Sequence, residues 1–377
     1  MIKSLRGRGP WGLLGAALAV LAVEAAVARH DLWLARPEAF DWRLARRNSR
    51  TEAPACDVLA FGTSMVQEGL LTRVLESRTG RPAYNLAVCA GRAPFAYYFL
   101  RRALRSGARP SAVVLDVHPG FIAENYKAIP VGWSDSLSTA DLADMAWTVK
   151  DPVFFARWAA RKGLPSLNHR HALRAFVTGS FRGEDPAGAA LWGNLHHVRN
   201  INRNRGSLVA PRDPRYGGAV EAKYKPIWLA DPARPVCDAV EEQYLRKFLA
   251  LAAANGVKVY WLILPVAPEL HRARESKGQN AAYDAFVARV AGADPNVVVA
   301  DARDSAYGAD AFLDACHLAP RGAHALSLDL ADLMAGPPGA PRRVSLPAYR
   351  ERPIDAPLED LAESLKAVMA AAAGVRR

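Results

Sequence analysis

Five short, nearly continuous apolar runs punctuate the chain, at residues 57–61 (DVLAF), 83–88 (AYNLAV), 112–117 (AVVLDV), 257–264 (VKVYWLIL) and 297–300 (VVVA). Runs this short without polar alternation predict strands covered on both faces, as in a parallel sheet. Between them lie helix-period patterns at 65–78, 94–106, 237–255 and 280–291, with another at 321–334. That order predicts an α/β protein with a doubly wound parallel sheet of about five strands. Residues 119–235 break the rhythm with scattered Trp, Arg, His, Gly and Pro, and read as a large irregular insertion after strand three. A Pro/Gly-rich link at 336–357 then leads to a last helix at 358–373.

The N-terminus adds a compartment to this picture. Lys3, Arg6 and Arg8 precede residues 11–23 (WGLLGAALAVLAV), which carry no charge. A basic start followed by a short apolar stretch predicts an export segment, and Ala26-Val27-Ala28 offers a signal-peptidase site. Read as an anchor, the stretch runs over 10–28, and the basic residues before it keep that end in the cytoplasm. Either way the body is expected outside the inner membrane, tethered or secreted; the competing reading is a buried apolar helix of a soluble protein. After it, Trp33, Phe40 and Trp42 are mixed with arginines over 29–50, which suits a headgroup layer or a connector packed on the body. The expected organisation is thus a signal or anchor at 1–29, a juxtamembrane connector at 30–55 and the first half of the sheet domain at 56–118. The basic insertion (119–235), the second half of the domain (236–335) and the link with its helix (336–377) follow.

Composition changes little except by exclusion. With 51% apolar and 23% charged residues over 377 positions, the chain is globular and not disordered. A net charge of +12 admits nucleic acid, an anionic membrane or an acidic polysaccharide as neighbour. No nucleic-acid recognition motif is present, so no nucleic-acid partner is expected. Eleven basic residues between Arg157 and Arg215 meet only Glu184, Asp185 and Asp213, a charge that would steer an acidic glycan, rest on anionic lipid or simply be a solvated face. His169, His171, His196 and His197 lack the carboxylate or cysteine spacing of a metal site, and no metal is expected. Cys56, Cys89, Cys237 and Cys316 are open to two disulfides or to four buried thiols.

In a flavodoxin-like open sheet the ligand crevice lies outside the carboxyl ends of the strands. The residues there are unusually polar: Gly62-Thr63-Ser64 after the first run, Cys89-Ala90-Gly91 after the second, His118-Pro119 after the third, and Asp314-Ala315-Cys316-His317 after the fifth. A hydroxyl, an imidazole and a carboxylate on one edge are the requirements of nucleophilic acyl transfer. Ser64 follows a glycine and precedes a helix, so its own N–H is placed to hold an oxyanion.

At these residues the sequence resembles the SGNH/GDSL hydrolase family, in blocks spread over 56–118 and 257–334, about half the chain. Phe61-Gly62-Thr63-Ser64 resembles the nucleophile block, Asn85 to Gly91 the block that donates a glycine N–H, and Asp314-x-x-His317 the terminal acid/base block. The resemblance implies Ser64 as nucleophile, His317 as general base and acid, Asp314 as its orienting carboxylate, and Ser64 with Gly91 as the oxyanion hole. Two departures stand out. Thr63 replaces the usual aspartate before the serine, and His118 stands where the family supplies an asparagine, making it the expected third oxyanion donor. The resemblance implies a cofactor-free esterase acting on O-acyl, foremost O-acetyl, groups of a cell-surface polysaccharide or a small acyl ester. The alternatives are a polysaccharide O-acyltransferase using the same residues and a non-catalytic glycan-binding protein. Against these roles stand plain ones: Ser64 as a mere N-cap, and His118 as a satisfied structural histidine.

Overall fold

The computed structural model of the chain describes residues 11–123, 136–214, 216–217, 219, 229, 236–292, 294–337 and 341–375. It opens with helix α1 (Trp11–Arg29), a single turn α2 (Asp31–Leu34) and α3 (Pro37–Thr51). Helix α1 is long and apolar enough to cross a membrane, and nearly all of it is exposed. Helices α4 (Ser64–Gly69), α5 (Thr72–Thr79), α6 (Ala93–Arg105) and the short α7 (Pro119–Ile122) follow in the first half of the sheet domain.

Residues expected to be irregular are helical instead: α8 (Thr139–Val149), α9 (Pro152–Gly163), α10 (Pro165–Ser180) and α11 (Pro186–Arg203). Pro152, Pro165 and Pro186 read as breakers, but each opens a helix, where a missing N–H is harmless. Ser138, Asp151 and Asp185 cap α8, α9 and α11 by accepting backbone N–H bonds. The remaining helices are α12 (Ala239–Ala254), α13 (Pro268–Ser276), α14 (Gln279–Ala291), α15 (Pro320–Ala335) and α16 (Leu361–Val375). Glu359, just before α16, grips Arg199 of α11 through two bonds of 2.6 and 2.9 Å, which docks the C-terminal helix on α11.

The sheet holds β1 (Val58–Phe61), β2 (Ala83–Asn85), β3 (Ala112–Leu115), β4 (Lys258–Ile263), β5 (Val297–Asp301) and β6 (Arg343–Ser345), all parallel, in the order β2-β1-β3-β4-β5-β6. The first five strands fall on the five apolar runs. The sixth lies inside the Pro/Gly-rich link, hidden because its edge position leaves Arg343 and Ser345 exposed and no apolar run to read. Side chains alternate between two cores. Leu59, Phe61, Val113, Leu115 and Trp261 meet α3, α6, α12 and α14 on one face. Val58, Ala60, Val114, Tyr260 and Leu262 meet α4, α5, α13 and α15 on the other. Helices on both faces explain why the runs show no polar alternation.

Two local details shape the site's surroundings. The one helix expected over 65–78 is split, because the Leu70 carbonyl accepts from Asn85 Nδ2 and Ser207 Oγ while the Leu71 N–H donates to Ser327 Oγ at 2.8 Å. At the free side of β2, the Asn85 N–H donates to the Arg205 carbonyl at 2.9 Å. Gly206 follows at φ +93°, and a Cβ there would stand 2.0 Å from the Asn85 carbonyl oxygen, so only glycine permits the approach.

Candidate functional site

From β1 the chain runs to the edge strand β2 and then returns to β3 on the other side of β1. The carboxyl ends of β1 and β3 therefore flank the switch point where an open sheet has its crevice. Here Gly62 takes φ +148°, and a Cβ on it would lie 2.9 Å from the Asp116 Cβ. That close approach lets Asp116, at the end of β3, reach under the turn. Its Oδ2 accepts a 2.8 Å bond from the Thr63 hydroxyl, whose oxygen in turn accepts the Met65 N–H at 3.1 Å. Thr63, not Ser64, is thus the N-cap of α4.

Relieved of capping, the Ser64 side chain stands 2.8 Å from His317 Nε2, and His317 Nδ1 stands 2.7 Å from Asp314 Oδ2. The other Asp314 oxygen accepts the backbone N–H groups of Cys316 and His317, both at 2.9 Å, which locks the carboxylate's orientation. An ionised carboxylate only accepts, so the proton of a neutral His317 sits on Nδ1 and Nε2 faces the Ser64 hydroxyl as acceptor. The structure brings Ser64, His317 and Asp314 into one hydrogen-bonded relay. Ser64 is buried, and the Asp314 side chain is 47% exposed.

Charge around the relay favours the imidazolium. Burial opposes it, but Cys316, Glu68 and Asp314 outweigh burial and hold the His317 pKa well above its ordinary value. Burial also acts on Asp314, yet bonds from His317 and the two backbone N–H groups keep its carboxyl well below the usual range. Glu68 was not foreseen from the sequence. It sits one helical turn after Ser64 on α4, hence on the same face, and the spacing alone would have marked it. Beyond it, His197 of α11 and Asp41 of α3 form a buried 2.6 Å pair coupled to Glu68.

The expected oxyanion donors fare differently. Ser64 is the first residue of α4, where a backbone N–H has no carbonyl behind it in the helix. Gly91 packs so tightly that a Cβ would stand 2.0 Å from the Gly62 carbonyl oxygen, but its N–H donates to Val88 at 2.9 Å, within its own turn. The geometry therefore does not present Gly91 as a donor. His118 does not stand as one either. It caps α7, its Nδ1 facing the Gly120 N–H at 3.1 Å and its Nε2 facing Arg274 Nη2 at 2.6 Å. Both neighbours can only donate, and a neutral imidazole has a single acceptor nitrogen, so the ring accepts from one of them and carries its proton on the nitrogen that faces the other. Burial, and after it the Arg274 charge, push the His118 pKa well below its ordinary value.

All four cysteines are free thiols. Asp314, Cys316 and His317 offer three ligand atoms within 4.8 Å of one another, the only group of that kind among the described residues. The donor set does not fit a cation well: burial pushes the Cys316 thiol up to about 11, and both His317 nitrogens face Ser64 and Asp314. The four histidines singled out in the sequence are dispersed in their bonding; His196 pairs with the Trp192 carbonyl and His197 with Asp41. No protein-family model matches this chain, and no curated protein matches it.

Proposed function

We propose that the chain is an exported, membrane-tethered serine ester hydrolase of the SGNH kind, acting on O-acyl groups of cell-surface carbohydrate. The observation that carries this reading is the hydrogen-bonded relay Ser64–His317–Asp314 at the carboxyl edge of the sheet. In the reaction Ser64 Oγ attacks the ester carbonyl as its proton passes to His317 Nε2, and Asp314 holds the imidazolium so formed. The alkoxide leaves with that proton, and an acyl-Ser64 ester remains. Water then gives a proton to His317 as it adds to the acyl carbon, and His317 passes that proton to Ser64 Oγ as the carboxylic acid leaves.

Labelling of the full-length protein with a serine-reactive fluorophosphonate tests the reading: wild type is expected to react and Ser64→Ala not to. Folded wild-type protein that resists the probe would overturn it.

The electrostatics set a pH dependence. His317 acts as a base only when neutral, and its raised pKa means that kcat/KM climbs with pH through an apparent pKa above 6.5. Glu68→Gln removes a negative charge that favours the imidazolium, so the rising limb is expected at lower pH in this variant. A limb that stays in place would detach Glu68 from His317.

His118→Ala is expected to keep kcat within about tenfold of wild type, because its ring nitrogens face Gly120 and Arg274. A third oxyanion donor would instead cost roughly 10²- to 10³-fold on removal. Stability should fall by about 1–3 kcal/mol, since a buried donor loses its acceptor.

A further inference from the structure

Helix α3 carries Arg43, Arg46, Arg47 and Arg50, spaced i, i+3, i+4 and i+7, on a single face. Like charges at that spacing repel and destabilise the helix that bears them. The arginines line a cavity of about 700 Å³, closed on the other side by Lys162 of α9 and by His169 of α10. No acidic residue lines it among the described residues. The charge of this face is felt behind the helix: burial brings the Arg102 pKa down to about 10, and Arg46 and Arg50 add to that fall.

The position of the cavity says which anion it suits. Ala28, in the last turn of α1, lines its rim, so it opens at the level where the apolar helix ends. Helix α10 packs along α1, and its Ser166 N–H donates to Glu24 of α1 at 2.8 Å. The same helix exposes Leu167, Phe176 and Val177, and Phe181 beyond it is 88% exposed, while α9 exposes Val153 and Phe155. Exposed apolar side chains beside a membrane-length helix, with a basic cavity at that helix's end, are the chemistry of a headgroup layer. Guanidinium groups bind phosphate oxygens in pairs. A free anion would account for the arginines but not for the apolar flank.

We propose that the cavity between α3, α9 and α10 seats the phosphate of an anionic membrane lipid at the outer end of α1. The proposal rests on α1 crossing the membrane and is independent of the reaction assigned to Ser64. Occupied, the seat fixes the height of the body above the bilayer.

The test uses the full-length chain in a neutral detergent, titrated separately with short-chain phosphatidylglycerol, short-chain phosphatidylcholine and inorganic phosphate while Tm is followed. Phosphatidylglycerol is expected to raise Tm and the other two to have little effect. In Arg46→Gln/Arg50→Gln the apparent Kd for phosphatidylglycerol is expected to weaken roughly thirtyfold. Arg46→Lys/Arg50→Lys keeps the charge and should keep most of the affinity; it also serves if the glutamine variant does not fold. Equal shifts with phosphatidylcholine, or undiminished affinity in the glutamine variant, would overturn the proposal. A shift with inorganic phosphate as large as with the lipid would make this a free-anion site and overturn the lipid as its occupant. Carbonate extraction of membranes reports separately on the tether: a chain that washes off refutes the spanning helix, whereas one that stays while phosphatidylglycerol fails to bind refutes the seat alone.

Discussion

Ser64→Ala is expected to lower ester turnover by about 10³-fold or more, the scale on which loss of a nucleophile leaves only binding and electrostatic stabilisation. The fold should survive almost unchanged. Thr63 supplies the N-cap of α4 and its bond to Asp116 anchors the turn, and neither contact involves the Ser64 hydroxyl. Thr63→Ala provides the contrast, because it removes the cap and costs about 1 kcal/mol of stability. Activity on a chromogenic acetyl ester, compared at matched Tm, separates the two variants. Undiminished turnover in well-folded Ser64→Ala would end the assignment of Ser64 as nucleophile.

Asp314→Asn is expected to cost about 10⁴-fold in kcat, although it changes only one atom. The reason lies in which oxygen is already engaged. Oδ1 of Asp314 accepts the N–H groups of Cys316 and His317, so the amide oxygen of an asparagine is drawn to that side. The amide NH₂ then faces His317 Nδ1 and donates to it, which moves the ring proton to Nε2. A ring protonated there cannot take the Ser64 proton. With the carboxylate gone the imidazolium also loses a stabilising charge, so the rising limb of the pH profile should move down. Stability should fall modestly, since the bond count is preserved but the charged carboxylate that the fold favours is lost. A kcat near wild type would show that Asp314 neither selects the tautomer nor supports the charge.

The relay was legible in the sequence because each member closes or follows a strand run, and strand ends in a parallel sheet converge by topology. Ser64 comes after 57–61 and Asp314 with His317 after 297–300, so pattern and order put them on one edge, and the family resemblance gave each its role. The supporting groups were not legible in that way. Asp116 and Thr63 meet because Gly62 lets β3 pass close beneath the turn, a matter of backbone angle rather than of residue type. His118 looked like a donor from its position alone, and Arg274, whose guanidinium faces its Nε2, comes from α13, a helix with no strong apolar period. The helices of 139–203 stayed hidden because prolines that open helices have the same composition as prolines that break them. β6 stayed hidden because a three-residue edge strand buries too little to leave a pattern.

The approach of Arg205 and Gly206 to β2 has a consequence for the protein's behaviour among its own copies. An open strand edge is a template for a second chain. Here one margin of the sheet already has a backbone partner at Asn85, while the other is three residues long and bears Arg343, itself held by Asp284 and Asp301. Both margins are thus closed to strand addition, one by the chain's own backbone and one by brevity and charge. A substitution at Gly206 would push the covering segment off β2, and its first visible effect would be self-association rather than a loss of chemistry at Ser64.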